Sequence, residues 1–177
     1  MAKSTRQYVF EGMEHMQKAL LPFVMRCLET GLGTGWPQEI ISRFPEWRPE
    51  GNGKFTLDTQ KLLKIMERMW NDAFRVVLER SHRSMVNELM EVRNKLAHDG
   101  SFSYDDAERA LDSMRRLLEA VSAGKAAEDI AVMRNTILRT KFTELQRNEE
   151  RKQTTKSDIS VETLAGLLPW REIVEPH

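Results

Sequence analysis

SHRSMVNELMEVRNKLAHDG, residues 81–100, carries apolar side chains at Met85, Leu89, Val92 and Leu96, and these steps of three and four put them on one face of an α-helix. Asp99-Gly100 supplies a stop, because turn formers and glycine collect where helices end. Arg93 sits roughly 60° from the centre of the stripe, at the boundary between packing and water. Arginines at such boundaries often only bury their methylenes and wet the head group. The five positions from Arg93 to His98 span about 500° on a straight helix, so the two side chains diverge by roughly 140°. They converge only if the helix stops between them and His98 falls in the following turn.

The same periodicity organises the chain outward from this helix. Val9, Met13, Met16, Leu20, Phe23, Val24 and Cys27 predict an amphipathic helix from about Ser4 to Thr30, ended by the string Gly31-Leu32-Gly33-Thr34-Gly35. No strand precedes that string and no Gly-Lys-Ser/Thr follows, so it reads as a turn and not as a phosphate loop. Trp36-Pro37 opens a short helix with proline in its first turn, and Pro45 to Lys54 reads as a loop. From a cap at Asp58, the positions Leu62, Ile65, Met66, Met69, Trp70, Ala73, Val77 and Leu78 predict one long helix that Ser81 interrupts at most. Ser103 with Asp106 forms a capping arrangement for a helix through Leu111, Met114, Leu117, Leu118 and Val121, closed by Ala123-Gly124. A last helix, through Ala127, Ile130, Met133, Ile137 and Leu138, turns highly charged beyond Phe142. No strand-like alternation appears, so an all-α bundle of about five or six helices is expected. We read residues 1–150 as the helical domain and 151–177 as a charged connector, with Leu164, Leu167, Leu168 and Trp170 too few to build a core. Such a connector suits a chain that is the N-terminal part of a larger protein.

Composition narrows the function. The 177 residues are 31% charged and 40% hydrophobic, and the formal net charge of zero argues against a polyanion binder held by global charge. Local basic patches remain, one of them containing Arg75, Arg80, Arg83, Arg93 and Lys95. The single cysteine, Cys27, has no intramolecular disulfide partner, and no apolar run suits a membrane span, which fits a cytoplasmic protein. Four histidines at scattered spacing make no metal site, and no cofactor is expected.

Arginine, amide and imidazole at a helix end suit phosphate chemistry. A guanidinium holds a phosphate through two parallel hydrogen bonds, and an imidazole moves protons near neutral pH. Read without that chemistry, His98 is a helix-terminal histidine interacting with exposed carbonyls, Asn94 a polar residue facing water and Asp99 a turn former. His82 falls near the wheel angle of Arg93 and is read as packing or interface.

RNKLAH, residues 93–98, resembles the R-x(4 to 6)-H signature of the HEPN superfamily, all-α domains that include many metal-independent ribonucleases. The likeness extends to Trp70–Phe74, Arg83–Glu88, the helix start Ser101–Ala107 and the run Leu111–Val121. It is similar to a branch appended to a eukaryotic PIN-type mRNA endonuclease and to the N-termini of bacterial defence ATPases, with the best likeness over about residues 60–140. Lys95-Leu96 departs from it, since arginine and tryptophan are expected there. The resemblance implies an endoribonuclease in which His98 transfers the proton, Arg93 holds the phosphate and Asn94 orients one or the other, with no metal. Arg83 and Lys95 are the accompanying candidates for RNA contact. It further implies RNA as partner, a homodimer in which two copies of the motif line one cleft, and an antiviral or toxin–antitoxin setting with an ATPase or other defence partner. We expect that dimer around the helix from about Ser81 to Ala97, through its Met and Val side chains. Two other classes stay open: a noncatalytic module that dimerises or binds RNA or nucleotide for an attached or partner ATPase, and an adaptor with no nucleic-acid role.

Overall fold

The computed structural model describes residues 3–47 and 56–165, with side chains through 153. It contains six α-helices and, among the described residues, no strand: α1 Thr5–Leu32, α2 Trp36–Arg43, α3 Thr59–Arg68, α4 Arg80–Ala97, α5 Tyr104–Ala120 and α6 Gly124–Ala165. Most of the loop expected at Pro45–Lys54, and Leu167, Leu168 and Trp170 of the tail, lie outside the described residues.

α1 starts where its cap predicts, with Ser4 Oγ accepting from the Gln7 N–H at 3.2 Å. Its stripe Val9, Met13, Met16, Leu20, Phe23, Val24 and Cys27 is buried, and burial raises the Cys27 thiol's pKa. The glycine string divides into two jobs. Gly31 stays inside the helix, where a Cβ would lie 2.6 Å from the Asp72 carbonyl oxygen, so only glycine lets that backbone approach. Gly33 takes φ +68° and turns the chain through a short 3-10 segment into α2.

The single long helix expected from Asp58 is broken. Asp58 caps α3 as anticipated, accepting from Lys61 N–H at 2.8 Å, but α3 ends at Arg68. A wide turn follows over Trp70–Phe74, in which the Arg75 N–H reaches back five residues to the Trp70 carbonyl at 2.9 Å. The extra residue in that turn shifts the register, so Trp70, Ala73 and Phe74 all enter the core, Phe74 lying 6.3 Å from the Phe23 ring. Val77, read as core, is 57% exposed as a result, while Leu78 is buried.

α4 and α5 follow the expected spans. α5 has the capping box read from Ser103 and Asp106, with Ser103 Oγ accepting from Asp106 N–H at 3.0 Å and Asp106 Oδ2 from Ser103 N–H at 3.2 Å. Its end differs from the reading: Ser122, at φ 60°, takes the left-handed position, and Gly124 instead opens α6. α1, α3, α4 and α5 form a ring in which α1 packs on α3 and α5, and α4 packs on the same two. Ala127, Ile130 and Ile137 of α6 are buried, and Ile130 meets α1 at Gly12. Two compact units divide at Leu138 and Arg139; in the second, Phe142 and Leu145 are exposed.

Candidate functional site

The last turn of α4 sets the geometry of the RNKLAH segment. His98 is the residue that ends the helix, its N–H still bonded to the Asn94 carbonyl at 3.1 Å. Asp99 follows at φ 54°, its N–H 3.4 Å from the Leu96 carbonyl, and the Gly100 N–H reaches the Lys95 carbonyl at 2.9 Å. This paired closure satisfies carbonyls that the end of a helix leaves open. The left-handed position thus belongs to aspartate. Glycine serves the next one, where a Cβ would lie 2.5 Å from Lys95 Cγ and 2.8 Å from the Lys95 oxygen. His98, at φ −100° and ψ 25°, departs from helical dihedrals but keeps its bond four residues back; on a regular helix its position lies roughly 140° around the axis from Arg93.

A residue that sequence reasoning passed over clamps this turn. Arg6 of α1 donates from Nη2 to the Leu96 carbonyl at 3.0 Å and to Asp99 Oδ1 at 2.6 Å, a cation at the negative end of α4. Thr5 Oγ1 donates to the Phe102 carbonyl at 2.7 Å, so the first turn of α1 grips the connection on both sides of His98. Asp99 therefore has an ionic partner besides its turn role. Nothing local in the sequence signals these bonds, whose partners are 90 to 97 residues apart.

Arg93 faces a groove of about 460 Å³ between α1, α3 and α4, shared with Phe10, Glu14, Gln60 and Leu96. Among the described residues it makes no ion pair; its one polar contact is with Asn94 Oδ1 at 3.5 Å. Asn94 is exposed beside it, and His98, also exposed, is not among the groove's lining residues. The other two cations read as RNA contacts are engaged within the fold. Arg83 lies 3.5 Å from Glu67 and over the Trp70 ring at 6.0 Å. Lys95 points toward α5, with its ammonium 2.9 Å from Asp106 and 4.7 Å from the centre of the Phe102 ring. That ammonium, and then the Ser103 N–H, hold the Asp106 carboxyl below the usual carboxylate range. His82 caps α4: its Nδ1 accepts from the Glu79 N–H at 3.0 Å. Met85 and Val86 are buried inside the protomer, and Met90 and Val92 pack on its core. The buried pair is not available to a subunit contact, so of the Met and Val side chains on which a dimer around α4 was expected, only Met90 and Val92 keep some exposed surface.

The Swt1-like HEPN family model matches residues 11–122, from the second turn of α1 to the end of α5. The chain belongs to this family. The HEPN match covers most of the four-helix ring and reaches much further toward the N-terminus than the likeness read from the signature region. HEPN membership suggests a ribonuclease or RNA-binding type of function. No curated protein and no solved structure matches the chain. Among the described residues, no helix of this HEPN protein is long and apolar enough to cross a membrane.

Proposed function

We propose that this HEPN domain is a metal-independent endoribonuclease that works as a homodimer. The observation that carries the reading is Arg93: within the RNKLAH segment it alone combines a guanidinium free of ion pairs with a concave surface. In the reaction, Arg93 holds a phosphate through two N–H donors and offsets the charge growing on its oxygens. His98 accepts the proton of the adjacent 2′-hydroxyl, the 2′-oxygen attacks phosphorus, and the 5′-oxygen leaves with a proton returned by an imidazole. The products are a 2′,3′-cyclic phosphate and a 5′-hydroxyl end. Asn94 bonds the guanidinium or the phosphate, and Arg83 and Lys95 add charge on the flanks of the strand. A second protomer supplies the second imidazole, which resolves the divergence of Arg93 and His98 within one copy. Residues 151–177 are a connector to a further domain or partner, with an antiviral or toxin–antitoxin system as the setting.

One observation favours a second reading. His98 does not line the groove that Arg93 faces. This fits a noncatalytic module that dimerises, or binds RNA, for an attached or partner ATPase. Incubating the protein with labelled single-stranded RNA in excess chelator separates the two. The nuclease reading expects cleavage with cyclic-phosphate ends, undiminished by the chelator and lost in Arg93→Lys, whose ammonium lacks the planar fork. RNA bound but left intact under all conditions would favour the module.

A further inference from the structure

Phe10 stands off the buried stripe of α1 and is 51% exposed, the one large apolar side chain of the Arg93 groove that faces solvent among the described residues. Glu14 lies four residues on, hence beside it on the same helix face, and also lines the groove. Among the described residues Glu14 is exposed and has neither an ion pair nor a hydrogen bond. Buried Met13 and Leu96 form the floor between these two and Arg93. An aromatic face, an acceptor-only carboxylate and a free guanidinium thus border one concavity of about 460 Å³, within the usual range for small-ligand sites.

We propose that Phe10 and Glu14 form a nucleobase subsite that holds an unpaired guanine of single-stranded RNA next to the phosphate bound by Arg93. The inference rests on the reading that Arg93 binds an RNA phosphate. A run of phosphates alone does not suit the groove, because Glu14 would repel it. A base does suit it: Phe10 stacks on the ring, as aromatic side chains do in single-strand recognition. Guanine is the base that fits the carboxylate, since its Watson–Crick edge presents adjacent N1–H and N2–H donors to two oxygens. Uracil offers one N–H between two carbonyls, and adenine and cytosine set a ring acceptor beside their amine, so each brings an acceptor against Glu14. A second copy of the chain is the rival occupant, yet one exposed phenyl ring is little against the roughly 800 Å² per partner that stable contacts bury.

The test uses the full-length chain carrying His98→Ala, which leaves bound RNA uncut. Affinity is measured by fluorescence anisotropy for an all-uridine octamer, the same octamer with one central guanosine, and one with inosine in its place. The guanosine octamer should bind best, and inosine, which lacks the 2-amine, should lose about fivefold or more. Adding Phe10→Ala should weaken the guanosine octamer by about tenfold or more while Phe10→Tyr retains it, and Glu14→Gln should erase the difference between guanosine and inosine. If Phe10→Ala and Glu14→Gln leave all affinities unchanged while Arg93→Ala abolishes binding, RNA recognition stands and the subsite is wrong. If no octamer binds at all, the reading of Arg93 fails first. A dimer that Phe10→Ala converts to monomer in sedimentation equilibrium would make Phe10 a subunit contact and overturn the proposal.

Discussion

Asp99 and Gly100 divide a task that one glycine performs at many helix ends: Asp99 takes the left-handed turn, and Gly100 makes room for the Lys95 carbonyl. Gly100→Ala should therefore cost about 1–3 kcal/mol in chemical denaturation, since the added methyl meets backbone that has nowhere to move. Ser122 ends α5 in the same conformation but, among the described residues, without an ionic partner, so Ser122→Gly should stabilise by about 0.5–1 kcal/mol. The equivalent change at Asp99 should gain less, because it also breaks the pair with Arg6. Asp106 ties the start of α5 to Lys95, and its pKa is depressed in the folded state. A depressed carboxylate contributes stability that is present above the ordinary carboxylate pKa of about 4 and lost as pH falls through the folded value. The stability gap between the parent and Asp106→Asn should accordingly be open at pH 6 and narrow in titrations below pH 4; a gap constant across that range would refute the ion pair. Local partners such as Ser103 and Asp106 were legible because a cap is written within four residues. Arg6 was not, because its partners lie about ninety residues away and share no pattern with it.

At the scale of elements, periodicity located most of the helices closely but failed at the join between α3 and α4; it also closed α5 at a glycine that opens α6, and α6 runs on to Ala165, into the stretch read as a connector. A template of 3.6 residues per turn carries Met69, Trp70, Ala73 and Val77 along one face, and no local signal reveals that one wide turn has been inserted among them. Tertiary contact supplies the reason: Trp70 and Phe74 both gain core positions, and Gly31 lets the Asp72 backbone sit directly on α1. Gly31→Ala tests this packing, because in a plain helix the substitution would stabilise by roughly 1 kcal/mol. Here it should lower the melting temperature, and a rise would mean that the wide turn does not press on α1.

For the whole molecule, the all-α class and the position of the motif at a helix end were readable, since both follow from patterning within single helices. The groove was not, because Phe10, Glu14 and Arg93 meet only after α1 and α4 have packed into the ring. Among the described residues the buried side chains end at Ile137, so a chain stopped at residue 150 should keep a single cooperative thermal transition close to that of the full chain. Loss of that transition would show that residues 151–177 belong to the fold. The central claim concerns proton transfer by His98, and single-turnover cleavage of a bound RNA by His98→Ala tests it most directly. The rate should fall by about 10² to 10⁴ with RNA affinity and melting temperature near those of the parent, whereas an unchanged rate would contradict it.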